Sequence, residues 1–162
     1  MKRLFFALLL VACGYGHPVG PRQDSVFPTS AYATRIDGAG AFAKLRKVQG
    51  AWEATTESGK TIHAVYKEIS NGSTLVESFV TPSGKETMTM YYADNYEAAY
   101  AKGSRLLLTH YCAQGNQARL QATQVLGDTI EFRYLDATNF DAETQGLLIR
   151  LSLTLTGDTL VR

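Results

Sequence analysis

The sequence predicts an all-β domain: an antiparallel up-and-down meander that closes into a barrel of about 8–10 strands, with a short helix capping its amino-terminal end. Three observations lead there. From Ala51 onward, apolar and polar residues alternate with period two in run after run. The runs are separated by tight turn signals: Ser58-Gly59-Lys60, Asn71-Gly72, Pro82-Ser83-Gly84-Lys85, Gly127-Asp128 and Gly157-Asp158. Connections this short force antiparallel neighbours, and so many sequential strands need closure to hide their edges.

The elements follow in order. Met1-Lys2-Arg3 is a short positive segment, and Leu4 to Ala12 is an unbroken apolar run of nine residues. That is too short to span a bilayer as a helix and suits the core of an export signal. It ends Leu10-Val11-Ala12-Cys13-Gly14, which resembles a bacterial lipobox. The resemblance implies that residues 1–13 are a signal sequence and that Cys13 is lipidated and anchors the protein to a membrane. The expected location is the periplasmic or cell-surface face of a bacterial membrane, with plain secretion as the alternative. Residues 14–36 hold Pro18, Pro21 and Pro28 among glycines with no hydrophobic period, and read as a flexible tether.

Residues 37–162 read as the barrel domain. Asp37 can cap a helix over Ala39 to Val48, in which Ala41, Phe42, Leu45 and Val48 form one apolar stripe. The expected strands are Ala51–Glu57, Thr61–Ile69, Thr74–Thr81, Glu86–Ala93, Arg105–Ala113, Arg119–Leu126, Thr129–Asp136, Leu147–Leu155 and Thr159–Arg162. Two longer connections, Asp94 to Ser104 and Ala137 to Gly146, are candidate lids. The first holds Tyr96, Glu97, Ala98, Ala99 and Tyr100, enough for one helical turn.

Gly50-Ala51-Trp52, following a short helix and opening a meander, is similar to the pattern of lipocalins and their calycin relatives. Val76-Glu77-Ser78, Met88 to Asp94, Leu107 to Gln117 and Asp136 to Asn139 resemble a family of uncharacterised bacterial proteins with lipocalin-like barrels. The resemblance runs from about Phe42 to Leu155 and implies a fold and a pocket, without an activity. The resemblance implies about one more hairpin past the position of Arg162, so the expectation is either a barrel open at its last strand or a truncated reading frame.

Candidate site residues come from polar groups on apolar faces. Leu106, Leu108, His110 and Cys112 share one face of a strand. Two residues apart on a strand is about 6.5–7 Å, too far for a thiolate–imidazole pair. Cys112 is most simply a buried hydrophobic thiol. Hydrophobicity assigns Met88, Met90 and Tyr92 inward, as it does Ile130, Phe132, Tyr134 and Asp136, and Leu147, Ile149, Leu151, Leu153 and Leu155. If Leu75, Glu77 and Phe79 face inward, Glu77 is a carboxylate in an apolar interior that calls for a partner: His110, Tyr92 or a ligand cation. The other register, with Val76, Ser78 and Val80 inward, leaves Glu77 solvated. Gln114, Asn116 and Gln117 flank Gly115 at a corner, where amides satisfy backbone groups; Asn116 is also placed to meet a polar ligand group at the barrel mouth.

The candidate ligand-binding set is therefore Glu77, Met88, Met90, Tyr92, His110, Cys112 and Asn116. No metal set is expected, since beside His17 in the tether only His63 and His110 are available. Haem needs one axial histidine and keeps His110 as a candidate. The expected ligand is small and apolar or amphipathic. An enzyme using His110, Glu77 or Tyr92 as acid–base groups, and a purely structural envelope lipoprotein, stand as alternatives. The chain has no Gly-rich phosphate loop, nucleophile elbow or metalloprotease motif. Without Lys2 and Arg3 it holds 14 basic and 15 acidic residues, with no basic run longer than two, which disfavours nucleic acid as a partner.

Overall fold

The computed structural model describes residues 2–5, 36–56, 58–98 and 101–162. The expected lipidation site Cys13, and the tether apart from Ile36, lie outside them. The described chain runs β1 (Lys2–Phe5), α1 (Gly38–Leu45) with a 3₁₀ turn over Arg46–Val48, then β2 (Gly50–Thr55), β3 (Thr61–Ile69), β4 (Thr74–Val80), β5 (Glu86–Ala98) and β6 (Ala101–Tyr111). It continues with β7 (Gln117–Leu126), β8 (Thr129–Thr138), β9 (Arg150–Thr156) and β10 (Thr159–Val161).

The nine strands β2 to β10 pair antiparallel in strict sequence order and curl into a barrel wall, consistent with a lipocalin-like fold. The wall leaves a seam between β2 and β10. β1 lies in it, parallel to both neighbours, with Leu4 opposite Leu160 and Arg3 opposite Glu53, and completes the ring. These four residues belong to the segment that reads as a leader in the sequence.

The helix closes one end. Asp37 caps it by accepting the Gly40 N–H at 3.1 Å. Ala41, Phe42, Leu45 and Val48 turn into the core as the apolar stripe requires. Gly38 lies so close to β6 that a Cβ there would sit 2.4 Å from the Arg105 carbonyl carbon. Only a residue without a side chain allows this approach. At the other end of the helix Lys44 donates to the Gly127 carbonyl in the β7–β8 turn at 3.2 Å. Trp52 is buried under this cap and its indole N–H donates to the Val48 carbonyl at 2.6 Å. The Gly-x-Trp pattern thus joins helix to barrel.

Four expectations need correction. The Asp94–Ser104 segment is no lid: β5 and β6 extend through it as a ladder ending at Ala98 opposite Ala101. The ladder satisfies the backbone there, and Asp94 and Arg105, paired across it, form a salt bridge. Met88, Met90 and Tyr92 are half-buried on the outer face, and Thr87, Thr89 and Tyr91 point inward. Threonines alternate with large residues here, so hydrophobicity misjudges the face, and a shift of one residue inverts it.

Asp136 also leaves the inward set. Register shifts between β7 and β8 place Leu120 opposite Tyr134 but Arg119 opposite Asp136, leaving Leu135 as the extra residue of a bulge. Asp136 then pairs with exposed Arg119, and Tyr134 is half-buried. Finally, β9 starts at Arg150, and Ile149 before it is 63% exposed, while Leu151 and Leu153 are buried as expected. Leu147 and Leu155 are partly buried against the core.

Candidate functional site

Strand register sets a line of polar side chains across the interior. Tyr66 of β3 lies opposite Glu77 of β4, Glu77 opposite Thr89 of β5, and Thr89 opposite His110 of β6. All four are buried. The inward register of β4 is therefore the one that places Glu77 in the core, between buried Leu75 and partly buried Phe79.

The partners of Glu77 differ from the expected ones. Tyr91, in the next inward layer of β5, donates its hydroxyl to Oε2 at 2.6 Å. Arg162, just past β10, brings Nη1 to 2.7 Å from Oε1 and lies over the Phe79 ring, 5.2 Å from its centre. The Oε1 contact is one of charge: its geometry is not that of a hydrogen bond. No hydrogen bond or ion pair joins Glu77 to His110 or Tyr92. Two strand spacings separate Glu77 from His110, about 9.5 Å.

The buried Tyr66 hydroxyl lies near Glu77 but makes no hydrogen bond of normal geometry among the described residues. Burial, then the Glu77 charge, push the phenols of Tyr66 and Tyr91 well above the ordinary tyrosine value, so both stay protonated. Burial works against the Arg162 charge, but Glu77, Tyr66 and Tyr91 outweigh it and hold the guanidinium more firmly protonated than a free arginine. His110 shares a 3.0 Å hydrogen bond between Nδ1 and the Thr89 hydroxyl. Burial, and secondarily Arg162, lower its pKa to about 4, so its imidazole is neutral at pH 7. The site thus offers one carboxylate, an aromatic face, two protonated phenols and a neutral imidazole, all inside an apolar wall.

β6 stops at Tyr111, and Cys112 sits half-buried in the following turn, its N–H donating to the Asn116 carbonyl at 3.0 Å. Asn116 is fully buried and ties that turn to the Asn139–Ile149 loop. Its side-chain amide donates to the Gly146 carbonyl at 3.0 Å and to Gln145 Oε1 at 3.3 Å. Gln145 donates back to the Gln114 carbonyl at 2.8 Å, and Gln114 Oε1 accepts the Gly146 N–H at 2.7 Å. Asn139 and Gln117 both donate to the Gly115 carbonyl. The corner amides serve the backbone and lace this loop to the β6–β7 turn.

The sequence singles out Glu77 and His110, both of which lie buried in the interior, and does not single out Tyr66, Thr89, Tyr91 or Arg162 beside them. Tyr66 was findable, because Ile62, Ala64 and Tyr66 alternate cleanly along β3. Arg162 carries no such signal. Among the described residues, no group of three or more His, Cys, Asp or Glu converges to hold a metal. Beside His110 the neighbouring inward layer holds the fully buried Leu108 and Leu120. At the helix end, an open cleft of about 330 Å³ lies between Lys44, Leu45 and Val48 and the core residues Ile130, Leu153 and Leu160.

No protein-family model matches the chain, and no curated protein is significantly similar to it.

Proposed function

We propose that this protein is an exported, lipid-anchored barrel of the lipocalin-like type that binds a small, mainly apolar ligand in its interior. The line Tyr66–Glu77–Thr89–His110, with Tyr91, is the polar anchor for that ligand. One observation carries the reading: the buried Tyr66 hydroxyl makes no hydrogen bond of normal geometry, and it stands beside a fully buried carboxylate, Glu77, whose partners are Tyr91 and Arg162. Native interiors rarely leave such groups unmet, and an orphaned donor or acceptor costs about 1–3 kcal/mol. A ligand that satisfies them recovers that cost, while apolar neighbours such as Leu75 and Phe132 take its hydrocarbon part. Export and anchoring rest on the lipobox-like Leu10-Val11-Ala12-Cys13.

The test is titration with an apolar fluorophore whose emission rises on leaving water. Saturable binding to the full chain, weakened at least tenfold by Glu77→Gln or Tyr66→Phe, supports the reading. Binding unaffected by both substitutions, or none at all, rejects it.

A further inference from the structure

We infer that the Glu77 site recognises a cation, and that the ligand is an amphiphile with an alkylammonium or alkylguanidinium head whose place Arg162 holds in its absence. This rests on the interior-ligand reading above and names the chemistry of the head group.

The argument starts from what surrounds Glu77. A fully buried carboxylate, an aromatic ring face and two phenol oxygens are the groups that recognise organic cations. Arg162 shows how such a cation sits: 2.7 Å from Oε1 and over Phe79. Yet Arg162 is an imperfect occupant. Its 2.7 Å approach to Oε1 is a charge contact outside normal hydrogen-bond geometry, and the Tyr66 hydroxyl near Glu77 makes no hydrogen bond of normal geometry. It also lies outside β10, so no strand ladder residue has to move for its side chain to leave. A ligand cation that aligns with Oε1 and donates to the Tyr66 oxygen gains what Arg162 leaves unmade. The neutral imidazole of His110 adds no competing positive charge. Arg162 then acts as an internal competitor, and the apparent affinity for ligand is the intrinsic affinity reduced by the fraction of barrels in which Arg162 is seated.

Two experiments on the full chain decide this. In the first, Arg162→Ala leaves a guanidinium-sized space beside Glu77. Ethylguanidinium should raise the melting temperature of this variant saturably, and leave wild type and the Arg162→Ala/Glu77→Gln double variant unmoved. An equal response in all three is a general solute effect and overturns the inference, as does no response in the single variant. A single variant that folds only with ethylguanidinium supports it.

In the second, wild type is titrated below micellar concentrations with decylguanidinium, decanol and decyl sulfate, read by Trp52 fluorescence and calorimetry. This series decides the question if Arg162→Ala stays unfolded throughout. Decylguanidinium binding at least tenfold tighter than the other two, with the advantage lost in Glu77→Gln, supports the inference. Decanol binding as tightly as decylguanidinium overturns it while leaving the interior-ligand reading intact. Binding of none of the three removes both.

Discussion

Lowering the pH should unfold this barrel earlier than its carboxylates require, because of His110. In the folded protein burial and the Arg162 charge lower His110 from its ordinary 6.5 to about 4. In the unfolded chain it returns to about 6.5. Between those values the unfolded chain takes up a proton that the folded one refuses. Stability is therefore complete above about pH 6.5, falls as the pH drops, and stops falling on this account below about pH 4. At about 1.4 kcal/mol per tenfold change in proton affinity, the full loss is about 3 kcal/mol, of which about 2 is gone by pH 5. Against a typical domain stability of about 5–15 kcal/mol, that is large. The assay is urea denaturation at pH 7 and pH 5 for wild type and His110→Gln. Wild type should lose about 2 kcal/mol more than the variant across that interval. Equal losses in the two proteins would refute a buried, neutral His110.

Three further outcomes are expected. Arg162→Ala strands the buried Glu77 carboxylate and should cost about 3–5 kcal/mol by urea unfolding, whereas Glu77→Leu combined with Arg162→Met should cost far less or nothing. Gly38→Ala sets a helix gain of about 0.5–1 kcal/mol against the clash with the Arg105 backbone, costing about 1–3 kcal/mol, so a lower melting temperature is expected. Leu151→Ala should cost about 2–5 kcal/mol, while Ile149→Ala, at an exposed position before β9, should stay within about 0.5 kcal/mol.

The legible parts of this fold are those fixed by local rules. Thr61–Ile69 was bounded correctly because its alternation is uninterrupted and turn residues flank it on both sides. The helix was legible from Asp37 as cap and four apolar residues at helical spacing. Glu77 stood out because it shares a face with Leu75 and Phe79. What failed depends on pairing between strands. The face of β5 is set by β4, where Glu77 faces Thr89, and a Thr–Met–Thr–Met run has no hydrophobic contrast strong enough to reveal it. The bulge at Leu135 that turns Asp136 outward is a property of two strands together. The long β5–β6 hairpin was hidden because the sequence between Ala98 and Ala101 contains none of the usual turn residues. Arg162 was invisible for the same reason: its partner lies 85 positions back, and only ring formation brings them together.

The most direct measurement is native mass spectrometry of the protein as its own host processes it, beside His110→Ala and Glu77→Gln purified in the same way. Wild type should carry an added mass, small and amphiphilic, that is lost or strongly reduced in both variants. A clean apo mass for wild type, or an added mass that both variants keep, would contradict the account of the Tyr66–Glu77–Thr89–His110 line as a ligand anchor.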